Sequence, residues 1–159
     1  MKNLWEHKIN EFIILANKHN VKMIMVGGGA VNFHGYQRHS ADVDFWISTV
    51  EENLKNLVTV FNEMEYEIDD FPEEVKNQLQ NISVKFSPLD LDLELITKFS
   101  STRTFEEAYE KSEEAFIEGE RILKWRVLSF DDLIDSKLRA QRPKDLLDVQ
   151  QLQQFKKNS

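Results

Sequence analysis

The chain has no cysteine. Disulfide frameworks and thiolate metal sites are therefore excluded, and the expected setting is a reducing, cytoplasmic one. Proline is scarce at three and glycine at five among 159 residues, which rules out collagen-like and linker-dominated architectures. The longest apolar runs, such as residues 12–16, fall far short of the roughly 20 residues that cross a bilayer, so no membrane partner is expected. Residues 1–11 carry charge throughout and have neither the apolar segment nor the small-residue cleavage site of a secretion signal. Positive charge is also in short supply. Lys and Arg number 20 against 28 Asp and Glu, a net charge of −8. Binding to long duplex nucleic acid depends on a positive surface, so bulk duplex binding is not expected, whereas a small phosphorylated substrate is compatible.

What is present is a globular mixture, 41% hydrophobic and 30% charged, of a length that suits one domain over residues 1–159. Residues 4–19 carry apolar side chains at helical spacing. Residues 21–26 read as a strand stopped by Gly27-Gly28-Gly29, with a short helix expected over 30–36 and a second strand over 42–47. Thr49 with Glu52 is a capping-box signature for a helix to about residue 64. Pro72 suits the first turn of another helical piece. Residues 81–86 and 91–96 read as strands joined by a turn at Ser87-Pro88. Thr104 with Glu107 caps a helix expected to reach residue 115, and the Glu118-Gly119 turn makes 117–127 a strand or hairpin. Ser129 caps a helix through residue 140, and Pro143 opens a last one ending near 155. The expected fold class is α/β (α+β), a mixed sheet flanked by helices with a helical C-terminus.

Charge is uneven along the chain. Residues 51–70 and 105–120 each hold seven acids against one Lys, while residues 121–144 hold seven bases against three acids. Solvated acidic helix faces explain the first two. The basic stretch is either one more solvated face or a local positive field suited to a triphosphate.

The chemistry concentrates between Gly27 and Asp44. Glycines between strand and helix let backbone approach a ligand, and a helix start offers free N–H groups to an anion. A tight strand–helix turn would use the same glycines. The Lys-Ser/Thr of a P-loop is missing, and the next glycine, Gly35, is wrongly spaced for a dinucleotide fingerprint. Asp42 and Asp44, two apart on a strand, share a face. Flanked by Val43, Phe45, Trp46 and Ile47 in a packed strand, they repel unless a cation lies between them, and Mg²⁺ is the natural one. Asp90, Asp92 and Glu94 alternate with leucines in the same way. An ordinary half-exposed strand has this pattern too, but two such strands side by side would gather carboxylates around metal ions for in-line displacement at phosphorus. His34 reads as a packing or hydrogen-bonding residue at a helix end, His7 and His19 as surface residues, and Trp5, Trp46 and Trp125 as core or interface.

Gly27-Gly28, thirteen further residues, then Asp42-Val43-Asp44-Phe45 and a later hydrophobic–acid–hydrophobic strand together resemble the DNA polymerase beta-type nucleotidyltransferase superfamily. The closer likeness is to small stand-alone bacterial nucleotidyltransferases, including the AbiEii-like toxin group. Their Gly-Gly-x-Ala-x-x-x-His-Gly-x-x-Arg-x-Ser/Thr-x-Asp-x-Asp block matches residues 27–44. Their Leu-Ile-x-x-Lys and Arg-x-Lys-Asp segment matches within residues 130–148.

The resemblance implies a nucleotidyltransferase-like sheet and Mg²⁺-dependent transfer of a nucleoside monophosphate from an NTP to an acceptor hydroxyl. Asp42, Asp44 and Glu94 would hold metal, with Asp92 the rival of Glu94, and the third carboxylate would help deprotonate the acceptor. Gly27 and Gly28 would approach the β- and γ-phosphates. Arg38 and Ser40 would stand in for the serine that many members carry after the first glycine. Lys137 and Lys144 would neutralise phosphate, with Asp145 orienting one of them. The acceptor (small molecule, tRNA end or protein) is left open. The alternatives are a toxin–antitoxin component that binds a cognate partner protein and a non-catalytic nucleotide-binding relative.

Overall fold

The computed structural model describes residues 7–37, 42–86, 91–119 and 122–158. Six strands form one sheet: β1 (Met23–Val26), β2 (Asp42–Ile47), β3 (Ile82–Val84), β4 (Asp92–Ile96), β5 (Glu113–Ile117) and β6 (Leu123–Val127). They lie in the order β3-β4-β2-β1-β6-β5. β1 runs antiparallel to β2 and parallel to β6, and β2 runs parallel to β4. The mixed α/β sheet flanked by helices, with helices closing the chain, is the fold class read from the sequence.

Alternation along β2 sorts the helices onto two faces. Phe45 meets Phe12 of α1 (His7–Lys18), and Phe12 stacks on Phe61 of α3 (Glu51–Glu63). On the other face, Trp46 meets Phe105 of α5 (Phe105–Lys111) edge-on. The helices that follow the adjacent parallel strands β2 and β4 therefore depart to opposite sides of the sheet. β1 is buried at all four positions, as befits a central strand covered on both faces.

Several boundaries differ from the sequence reading, each for a local reason. α2 (Gly27–Phe33) begins at the first glycine and not at Ala30, with Val26 as its cap. The Thr49–Glu52 capping box does not form. Val50 caps α3 without a side-chain hydrogen bond, and the Thr49 hydroxyl accepts from Gln78 Nε2 at 2.9 Å. Pro72 is the cap of the single-turn α4 (Glu73–Lys76). The Thr104–Glu107 box does form, but α5 stops at Lys111 because Ala115 is needed in β5, paired with Trp125. Residues 113–127 give the expected hairpin. Ser129 caps α6 (Phe130–Ala140) through the amide of Asp132, and α7 spans Pro143–Asn158. The Ser87-Pro88 turn lies outside the described residues. Among the described residues, no helix is long and apolar enough to cross a membrane.

Candidate active site

Val26 pairs with Asp44, and Asp44 with Glu94 on the next strand. That register places the strand–helix junction at Gly27 directly beside the acidic pair. Gly27 has φ +64°, and a β-carbon there would overlap Asp44 Oδ2. The first glycine is thus needed for conformation and for the close approach of a carboxylate. Asp42 is exposed and Asp44 half-buried.

A cleft of about 550 Å³ opens at this point. Gly27, Gly28, Asp42 and Asp44 line one side, and Lys137, Arg142, Lys144 and Asp145 line another. Burial, followed by repulsion from Asp42 and Glu94, pushes the Asp44 carboxyl up to about 6, against a partial pull from Lys144 and Lys137. Acids and bases from opposite ends of the chain therefore feel one another across the cleft. The donors at the acidic wall are all carboxylate oxygens, which suits a hard divalent cation. The like-charge strain at Asp44 is what such a cation would relieve. Among the described residues, however, no three carboxylate or imidazole groups are gathered as a ready cluster of ligands. Glu94 lies across the strand pair, where its Oε1 accepts from Ser83 Oγ at 2.6 Å, and Asp92 stands opposite Asp42. Neither is among the residues that line the cleft.

The basic wall is built around a buried lysine. Lys137 Nζ lies 3.3 Å from Asp145 Oδ1 and 2.9 Å from Asp148 Oδ2, and all three residues are buried. Arg142 grips the same Asp145 with its side chain, Nε to Oδ2 at 2.6 Å and a terminal nitrogen to Oδ1 at 3.1 Å, while its backbone N–H also donates to Oδ2. Burial pushes the Asp145 carboxyl up, but these hydrogen bonds and the Lys137 charge more than offset it and hold the group below the usual range. Asp145 therefore orients Lys137 and Arg142, not its sequence neighbour Lys144. The basic stretch divides in the fold. Arg126 turns away from this cleft to Ser112 and Glu114.

Arg38, Ser40 and His39 lie outside the described residues. His34 keeps the structural role read from the sequence: its Nε2–H donates to the Leu128 carbonyl at 2.7 Å, between the Phe33 and Phe130 rings. His19 pairs with Glu63 at the surface. Trp46 and Trp125 are buried core residues.

Sequence reasoning missed Lys98, Asn81, Ser100 and Arg142 as lining residues and Asp148 as the second partner of Lys137. Arg142 carried a usable signal, since it sits three residues before Asp145 at the start of a helix. Asp148 carried one too, three residues after Asp145 on the same helix, whereas Asn81, Lys98 and Ser100 carried none, because they lie between elements and only the fold brings them to the cleft.

Residues 5–157 match a family described as nucleotidyltransferase of unknown function (DUF6036). No curated protein matches the chain significantly. Among solved structures, the chain is similar to the crystal structure of ANT(2")-Ia in complex with adenylyl-2"-tobramycin. That likeness is at 13% identity and a TM-score of 0.47, covering 91% of this chain and 84% of that one.

Proposed function

Since the chain belongs to this family of nucleotidyltransferases, we propose that it transfers a nucleoside monophosphate from an NTP to an acceptor hydroxyl with the aid of Mg²⁺. The observation that carries this reading is the opposition of Asp42 and Asp44, beside Gly27, to Lys137, Arg142 and Lys144 across one cleft. The acceptor oxygen forms a bond to the α-phosphorus. The bond from that phosphorus to the bridging oxygen of the β-phosphate breaks, pyrophosphate leaves with the electron pair, and the hydroxyl proton passes to a carboxylate or to water. Lys137, Arg142 and Lys144 offset charge on the triphosphate, while Gly27 and Gly28 leave its oxygens room at the start of α2. Arg38 and Ser40 follow on the same segment and add phosphate donors in this reading. Asp42 and Asp44 would hold the Mg²⁺, which supplies charge neutralisation. Glu94 is preferred over Asp92 as the third carboxylate because it faces Asp44 in register and contributes to the Asp44 shift. As a base it would take the acceptor proton.

The test is titration of ATP, CTP, GTP and UTP with Mg²⁺ into the protein and into Asp42→Asn plus Asp44→Asn. We expect metal-dependent binding of at least one NTP by the unmutated chain and a loss of at least tenfold in affinity in the double variant. No metal-dependent binding by the unmutated chain would sink the reading.

One observation favours a second reading, in which the protein acts by binding a cognate partner, as a toxin–antitoxin component would. The edge strand β5 exposes Phe116 and Ile117 beside Glu113 and Glu114. An edge of this kind accepts an added strand, and its charge suits a basic one. Unchanged recovery of the partner by Phe116→Lys would exclude this edge as the contact.

A further inference from the structure

The crevice beyond the carboxyl ends of two adjacent parallel strands is a favoured ligand position when their connections depart to opposite faces. β2 and β4 are such a pair. A chamber of about 470 Å³ lies there, lined by Trp46 near the end of β2, by Thr49 and Val50 after β2, and by Lys98, Phe99 and Arg103 after β4. It shares Lys98 and Phe99 with the 550 Å³ cleft. Both volumes fall within the roughly 300–1,000 Å³ of small-molecule sites. A transfer between two substrates needs two such spaces, and the first already holds the glycines, acids and bases suited to a triphosphate. The chamber adjoins the cleft through the residues that follow β4.

Resting on the transfer reading above, we propose that this chamber takes the acceptor, and that the acceptor is a hydroxylated small molecule with a flat or apolar ring and an acidic group. The ring is suited by half-buried Phe99, backed at 5.1 Å by buried Trp46, which meets Phe105 edge-on at 5.3 Å. The acid is suited by exposed Lys98, with Arg103 beside it offset by buried Asp132 and Glu106 the carboxylate in the wall. Arg103 is held in place by Nε donation to buried Asp132 at 2.7 Å. The Gln78 side chain reaches Thr49 and spans the rim.

The experiment is calorimetric titration of 4-hydroxyphenylacetate and of its cationic counterpart tyramine, with Mg-ATP titrated in parallel. Three proteins are compared: the unmutated chain, Val50→Trp, which adds bulk from the exposed rim, and Glu106→Gln, which removes the opposing charge. We expect 4-hydroxyphenylacetate to bind at least tenfold more tightly than tyramine. Val50→Trp should weaken it at least tenfold, Glu106→Gln should tighten it two- to fivefold, and Mg-ATP affinity should stay within twofold throughout. Equal binding of the two probes, indifference to both substitutions, or joint loss of ATP and probe in Val50→Trp would overturn the proposal. Nucleotide binding without probe binding removes the chamber and leaves the transfer reading standing. Probe binding without nucleotide binding removes the transfer reading, and with it the chamber's role as an acceptor site.

Discussion

A β-carbon at position 27 has no room beside Asp44 Oδ2, and the backbone there is left-handed. Gly27→Ala combines both penalties, so we expect it to cost about 1–3 kcal/mol and to displace the Asp44 carboxylate. Urea unfolding together with Mg-ATP titration reads the two effects. Asp44 itself opposes folding when no cation is present. Its folded pKa of about 6 lies above the ordinary 3.8, so between those values the folded chain binds a proton that the unfolded chain has released. Stability therefore falls as pH rises through that window and stays lower above it. Asp44→Asn abolishes this dependence. In EDTA at pH 8 we expect the variant to be more stable than the unmutated chain by about 1–2 kcal/mol, after discounting for the solvent-facing part of the group. The stability difference between the two proteins should vanish near pH 4.

At the scale of elements, α6 and α7 are joined through charges that neither helix can leave unpaired. Lys137 on α6 has both of its carboxylates on α7, and all three are buried. Removing one partner from a buried pair costs about 3–5 kcal/mol, because the remaining charge stays desolvated. We expect a loss of that size for Lys137→Met in chemical denaturation, although the side chain keeps its volume. The sequence made the helices and strands legible where period and cap agree, as at Thr104 and Ser129. It misjudged Thr49 because Gln78, far away in sequence, draws off the hydroxyl that would have capped α3. It also placed both acidic pairs on strands without showing that those strands are neighbours. Only the register sets Asp44 against Glu94. Asp145 was readable as an orienting group, but its partner was not. Lys137 is eight residues upstream, and the helix–helix turn decides which lysine it meets.

Over the whole molecule, a charge of −8 surrounds a cleft that holds Lys137, Arg142 and Lys144. In the transfer reading, the distant field repels an NTP while these bases draw it in. Salt shortens the Debye length from about 30 Å at 0.01 M to about 8 Å at 0.15 M, screening the distant term first. Stopped-flow association of a fluorescent ATP analogue should therefore speed up about twofold over that range, the reverse of a site on a basic protein.

The sheet order also sets a sequence of events in time. β1 finds β2 across the segment 27–41, but its other neighbour, β6, arrives about a hundred residues later, and α6 and α7 follow only after that. During synthesis from the N-terminus, the acidic wall exists well before the basic wall has been made. In the transfer reading, the emerging chain thus passes through a stage that holds the acidic wall without the bases that would offset a triphosphate. In that reading, nucleotide capture therefore waits for the last two helices of the chain.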